Sequence, residues 1–140
     1  MRYILDTNVL SEVMRQHAHP SVTAWLRACQ PNAMFTTAVS QTEIYYGIRL
    51  LPEGARRQRL ERAAQAMFAD EFPGRILPFD TAAAETYADL RVLRRRAGLP
   101  VSLEDGMIAA IAHVGDYTIV TRDIGGFAEC GVALIDPWAS

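Results

Sequence analysis

The sequence predicts an α/β fold in which a mostly parallel, five-stranded sheet is flanked by helices on both faces. Three observations predict it. Short apolar runs alternate with segments of helical periodicity from one end of the chain to the other, the pattern of strands joined by crossover helices. One of those helical segments, "SLEDGMIAAIAHVG", is apolar nearly all round, as expected for a helix sandwiched between layers. Finally, 140 residues of which 50% are hydrophobic suffice for one ordinary core. With no repeat, low-complexity tract or linker, a single domain spanning 1–140 is expected.

Residues 2–6, "RYILD", read as a buried strand, followed by a helix to about Arg15. "HAHP" (17–20) is a loop, after which "SVTAWLRAC" is a short helix with Trp25 and Leu26 inward. "AMFTTAVS" (33–40) holds a second strand that runs quickly into a helix over 41–51. From Ala55 to Phe72 a long amphipathic helix gathers Leu60, Ala63, Ala64, Met67 and Phe68 on one face, with Arg56, Arg59 and Arg62 elsewhere. "RILPFD" (75–80) is the third strand, and the helix over 81–97 buries Tyr87, Leu90 and Leu93 before Gly98 and Pro100 stop it. The sandwiched helix occupies 102–115, "YTIVTRD" (117–123) is the fourth strand and "VALIDP" (132–137) the fifth.

Composition narrows the function classes. Net charge of −2 carries no global nucleic-acid signature. All 14 basic residues are arginine, so a phosphate-binding P-loop, with its lysine and glycines, is excluded. Cys29 and Cys130, without CxxC or HxxxH spacing, make neither a disulfide scaffold nor a structural zinc site, and suit a reducing cytosol. The N-terminal pattern is not that of a secretory signal, and no stretch approaches membrane-spanning length. A cytoplasmic protein is expected.

In an open parallel sheet, the C-terminal ends of the strands and the N-termini of the covering helices share one edge, where such folds bind ligands. Four acids map to it: Asp6 at the end of the first strand, Glu43 in the first turn of the helix after the second, Asp105 in the first turn of the sandwiched helix, and Asp123 at the end of the fourth strand. Each has a structural explanation of its own. Asp6, Thr7 and Asn8 are helix-capping residue types. Ser40-Gln41-Thr42-Glu43 has the form of a capping box, Ser102-Leu103-Glu104-Asp105 is a weaker one, and acids suit helix N-termini. Together, however, four carboxylates in one cleft repel and raise each other's pKa unless a cation holds them ionised. An all-carboxylate ligand set selects Mg²⁺ or Mn²⁺ over zinc. Such sites serve phosphoryl transfer, and without a nucleophilic Ser, Cys or Lys they point to hydrolysis by water. A phosphatase or receiver-like domain with Asp6 as nucleophile fits less well, because Asp6-Thr7-Asn8 is not DxD and the lysine is missing.

Five segments, "YILDTNVLSE", "TEIYYGI", "EDGMIAAIA", "IVTRDIGGF" and "GVALIDPW", in this order and spacing, resemble the PIN-domain ribonuclease toxins of the VapBC type, especially the FitB-like branch. The resemblance covers essentially the whole chain. It implies a five-stranded parallel sheet, and metal-binding catalytic acids at Asp6, Glu43, Asp105 and Asp123, with Asp6 and Asp105 the firmest Mg²⁺ ligands. Thr7, Asn8 and Thr121 are implied as hydrogen-bonding support for these carboxylates. Relatives often carry Asn where this chain has Asp123, and Asp where it has Gly126. The resemblance further implies an Mg²⁺-dependent endoribonuclease toxin that cleaves RNA at restricted sites, often in tRNA. It implies a homodimer held inactive by a VapB- or FitA-like antitoxin in a higher assembly, touching DNA only through that antitoxin. The competing expectation from another class is a noncatalytic PIN-like module that binds RNA or protein through the same cleft.

Arg122, beside Asp123, is a candidate phosphate contact. The arginines at 56, 57, 59 and 62, and at 91, 94, 95 and 96, form two helical clusters that either hold an RNA backbone or are solvated faces. His17, His19 and His113 fall away from the expected cleft and are assigned structural roles. Tyr45, Tyr46 and Ile48 are partner surface or core.

Overall fold

The structure is a computed structural model, described here for residues 1–139. Five strands, β1 (Tyr3–Leu5), β2 (Met34–Thr37), β3 (Ile76–Leu77), β4 (Thr118–Val120) and β5 (Leu134–Ile135), form one sheet of order β3-β2-β1-β4-β5. Every pairing is parallel, with Ile4 opposite Phe35 on one side and Ile119 on the other. Seven α-helices cover it: α1 (Thr7–Val13), α2 (Pro20–Ala28), α3 (Ala38–Arg49), α4 (Ala55–Glu71), α5 (Thr81–Arg96), α6 (Leu103–Gly115) and α7 (Ile124–Phe127). Among the described residues no helix is long and apolar enough to cross a membrane, and both cysteines are free.

The strand alternation sorts side chains between two cores. Ile4, Ile119, Phe35, Leu77 and Leu134 face a cluster built on Ile108, Ala109, Ala110, Ile111 and Ala112 of α6 with Leu90 of α5. Leu5, Val120, Met34 and Ile76 face the opposite cluster, of Val9 and Leu10 from α1, Val22 from α2, Ile44 and Ile48 from α3, and Ala64, Met67 and Phe68 from α4. Helix α6 is sandwiched as its composition predicts. Its Gly106 lies where a Cβ would come within 2.6 Å of the Tyr87 ring, so α5 and α6 pack at a distance that only glycine permits there.

Several expectations are corrected. The helix after β2 begins at Ala38, not 41, and its N-cap is Thr37, whose side chain accepts from the Ser40 N–H at 3.1 Å. The Ser40–Glu43 capping box therefore does not exist, and Glu43 sits in the second turn, free of any capping duty. The strands are shorter than the apolar runs, so Asp123 lies three residues past β4 as the N-cap of α7, a helix the sequence reading missed. Leu93 is exposed rather than core. Arg94, expected on an exposed basic face that either holds RNA or is solvated, is buried: its guanidinium donates to the Leu99 carbonyl at 2.6 Å and to the Ala128 carbonyl. Ile48 is core, Tyr45 packs on Phe68, and Tyr46 is exposed. His19 caps α2 through Nδ1.

Because the cap is Thr37, Thr37→Ala is expected to destabilise the chain by about 1–2 kcal/mol, the usual cost of a lost Thr cap. Glu43→Gln, which removes no cap, should leave the melting temperature unchanged or slightly raised. Thermal denaturation of the two variants followed by circular dichroism checks both.

Candidate active site

All four acids line one cleft. A cleft of about 590 Å³ at the C-terminal edge of the strands is lined by Asp6, Thr7, Asn8, Ser11, Glu12, Arg15, Glu43, Asp105, Arg122, Asp123 and Trp138. It opens beside β1, where the strand order runs one way to β2 and the other to β4, the topological switch of an open α/β sheet.

Asp6 is the most enclosed of them, 4% exposed. As N-cap of α1 it accepts the Thr7 N–H on Oδ1 at 2.8 Å, while Oδ2 accepts from the Thr121 hydroxyl at 2.8 Å. Thr121 is itself fully buried, and its oxygen takes N–H donors from Asn8 Nδ2 at 3.1 Å and the Asp123 backbone at 2.9 Å. With both lone pairs occupied, its one proton is directed to Asp6. Asn8 completes the link by accepting the Arg122 N–H on Oδ1 at 3.3 Å. The ends of β1 and β4 are thus stitched together by side chains where the backbone ladder stops.

Glu43 reaches the cleft from α3, and its Oε1 is 2.8 Å from the Thr7 hydroxyl, which also lies 2.9 Å from the buried Ser40 hydroxyl. Ser40 is a contributor not evident from the sequence, where it has the form of a helix cap, and its three-residue spacing from Glu43 is the signal that puts both on one face of α3. Asp105 enters from the first turn of α6, where Ser102 caps the helix by accepting the Asp105 N–H at 3.1 Å. Asp123 accepts the Gly126 N–H on Oδ1 at 3.0 Å. A Cβ at position 126 would fall 2.2 Å from Asp123 Oδ2 and 2.9 Å from Asp105 Oδ2. The space that a side chain at 126 would need is filled by the carboxylate of Asp123, which is the physical counterpart of having Asp at 123 and Gly at 126. Glu12, Arg15 and Trp138 also line the cleft and were not singled out from sequence, although "SE" and "DPW" close two of the matching segments.

The carboxylates raise one another. Burial pushes the Asp6 carboxyl up, against the opposing hydrogen bonds from Thr121 and Thr7, and Asp123 adds repulsion. Burial also pushes Glu43 up, opposed by Thr7 and reinforced by Asp6 and Glu104. Asp105 is pushed up to about 7 by burial, then by the charges of Asp6 and Asp123, a hydrogen bond shared with Asp123, and Glu43. Among the described residues no three acid, His or Cys side chains converge closely enough to hold one ion as they stand. The donor set nevertheless fits a hard divalent cation: it is all carboxylate, among the described residues no arginine forms an ion pair with any of the four acids, and their mutual repulsion pushes Asp105 up, as expected where positive charge is wanted.

A family profile described as "PIN domain" matches residues 3–131. The chain is 36% identical over 135 residues to toxin FitB of Neisseria gonorrhoeae, covering 96% of this chain and 97% of that one. It is 33% identical over 135 residues to VapC ribonuclease Y4jK of Sinorhizobium fredii, with 96% of each covered. A solved structure of FitAB bound to a DNA fragment contains a chain that superposes with a TM-score of 0.90 at 35% identity, covering 97% of this chain and 95% of that one.

The sign of the pH dependence follows from Asp105. Its folded-state carboxyl, at about 7 against 3.8 ordinarily, favours the folded state while protonated, so the stability it contributes is full below about pH 4 and lost as pH rises through 7. In the presence of a chelator, the melting temperature should fall between pH 5 and pH 8. Asp105→Asn should flatten that fall and melt higher than the unsubstituted chain at pH 8.

Proposed function

The chain belongs to the PIN domain family, and from that premise we propose that it is the toxin of a VapBC-like toxin–antitoxin pair, an Mg²⁺-dependent endoribonuclease. The observation that carries this reading is the convergence of Asp6, Glu43, Asp105 and Asp123, from four separate segments, on one cleft. Residues 1–140 act as one catalytic unit in the cytoplasm, and the substrate is an RNA phosphodiester, a transfer RNA being one such target. A VapB- or FitA-like antitoxin is the cognate partner, supported by the whole-chain likeness to a chain of the FitAB complex. The toxin is a homodimer that enters a larger assembly with the antitoxin, and reaches DNA only through it.

Asp6 and Asp105 are the principal ligands for the cation, with Glu43 and Asp123 completing the set. Bound there, Mg²⁺, or Mn²⁺ in its place, would supply the positive charge that lets a phosphodiester approach four carboxylates and that balances the negative charge developing on the phosphoryl and departing oxygens. The chain's own residues do the rest. Hydrolysis forms a bond from a water oxygen to phosphorus and breaks a phosphorus–oxygen ester bond, so one proton must leave the water and one must reach the departing oxygen. Glu43, which is not one of the two principal ligands and which burial pushes up, is the carboxylate suited to take the proton from the water, and solvent in the open cleft would supply the proton that reaches the departing oxygen. Thr7 fixes the Glu43 carboxylate, while Thr121 and Asn8 fix Asp6, so each acid is oriented before substrate arrives. Arg122 contacts a backbone phosphate.

Asp6→Asn and Glu43→Gln keep size and an amide oxygen in place of the carboxylate oxygen. Each is expected to fold, as circular dichroism would show, while RNA cleavage falls by at least about a hundredfold, the scale set by losing a general base or a metal ligand. Full cleavage by a folded Asp6→Asn chain, measured on labelled total RNA, would sink the assignment.

Cleavage should vanish in EDTA and return with Mg²⁺ or Mn²⁺. In parallel, Mg²⁺ at a hundredfold excess over its Kd should raise the melting temperature of the unsubstituted chain by on the order of 10 °C. Asp6→Asn should show little of that rise. A chain that melts identically with and without the metal would contradict the ligand set whatever its activity.

A further inference from the structure

The acid cleft has two arginines on its lining, and they are held in different ways. Arg15, two residues past the end of α1, pairs with Glu12 at 3.4 Å, and that buried carboxylate also accepts the His19 N–H at 3.2 Å. Arg122 has no carboxylate within ion-pair distance among the described residues. Its guanidinium lies over the indole of Trp138, 5.0 Å from the ring centroid. Only its backbone is tied down, by the N–H donated to Asn8.

Trp138 is well placed to act as a shelf. It is half-buried, its ring rests against the apolar cluster that includes Leu5, Val9 and Val120, and its backbone N–H donates to Asp136 Oδ1 at 2.9 Å. A guanidinium drawn to an aromatic face keeps its in-plane N–H donors free for an anion. The alternative fate of an arginine next in sequence to Asp123 is to swing onto the Asp105 and Asp123 carboxylates, which would neutralise the cleft from within and spend the fork. The indole offers it a competing place at the rim. Polyanionic RNA must pass that rim to reach a cleft lined by five acids, Glu12 included, so a cation with unspent donors at this position has a defined partner.

We propose that Trp138 is a positioning residue, which holds Arg122 at the rim of the acid cleft as a clamp for a backbone phosphate of the incoming RNA strand and keeps it off the acids. This rests on the ribonuclease reading above. It acts on substrate capture, so it predicts an effect on KM, shared with Arg122, and preserved by any aromatic ring.

The test uses the full chain, with cleavage kinetics on an RNA oligonucleotide and, in the cleavage-silent Asp6→Asn background, binding of the same oligonucleotide by fluorescence anisotropy. Trp138→Leu is expected to raise KM and Kd about five- to tenfold, with kcat within about twofold. Trp138→Phe should stay within about twofold of the parent on both. In an Arg122→Gln background, Trp138→Leu should add nothing further, because the cation it positions is gone. Melting curves separate this from a packing defect, and if Trp138→Leu melts early, the Trp138→Phe and Arg122→Gln pair carries the comparison. An unchanged KM in folded Trp138→Leu overturns the proposal. So does an equal penalty with and without Arg122, which would make Trp138 a direct stacking platform or a purely structural residue. Variants that weaken binding of the antitoxin but not of RNA would likewise overturn it, assigning the pair to a protein carboxylate. Binding that shows the Arg122–Trp138 coupling without any cleavage by the parent chain would uphold this inference and overturn the nuclease reading instead.

Discussion

The hydroxyl of Thr121, 2.8 Å from Asp6 Oδ2, is the contact on which the arrangement of the cleft depends. A carboxylate at 4% exposure is costly unless its lone pairs are occupied by donors. Thr121 can serve as a directed donor only because Asn8 Nδ2 and the Asp123 N–H saturate it. That one oxygen therefore fixes Asp6 at the end of β1, sets the backbone turn that delivers Asp123, and through Asn8 holds the start of the Arg122 segment. The β1–β4 pairing, Leu5 opposite Val120, brings the two chain ends to the place where this is possible.

Around that anchor the fold concentrates negative charge against its own stability. Asp105 is pushed up to about 7 by its own burial and then by the charges of Asp6 and Asp123. The rigid face that buries Ile108 through Ala112 points Asp105 at the other acids. Small residues make the crowding feasible, Gly106 against Tyr87 and Gly126 against Asp123 and Asp105. Repulsion of this kind would be relieved by a proton or by a divalent cation, which is what the proposed function asks of the site.

The arginines divide by environment rather than by local sequence. Arg94 belongs to a run of three yet is consumed inside the fold, bonding the Leu99 and Ala128 carbonyls. Arg49 pairs with Glu61 at 2.8 Å. Arg122, isolated in sequence, is the one that lines the acid cleft with its side-chain donors unspent. Charge runs on a helix are a poor guide to function because one residue in four can turn inward, and which one does so is set by the packing partner.

Periodicity and residue chemistry alone determined the α/β class, the parallel sheet, the sandwiched α6 and the edge at which Asp6, Glu43, Asp105 and Asp123 gather. These follow from local patterns: strands of alternating or continuous apolar residues, and helices whose apolar faces repeat at 3.6. The exact reach of each element was not legible. Apolar runs extend beyond the hydrogen-bonded ladders, so β4 stops at Val120 and leaves room for α7, and Thr37 outcompetes Ser40 as a cap because the chain already turns at the end of β2. Nor was it legible that Ser40 supports Thr7, that Arg94 is buried, or that Trp138 meets Arg122 across fifteen intervening residues. Those contacts join elements distant in sequence, and only the tertiary packing of both sheet faces decides which side chains are left to face one another.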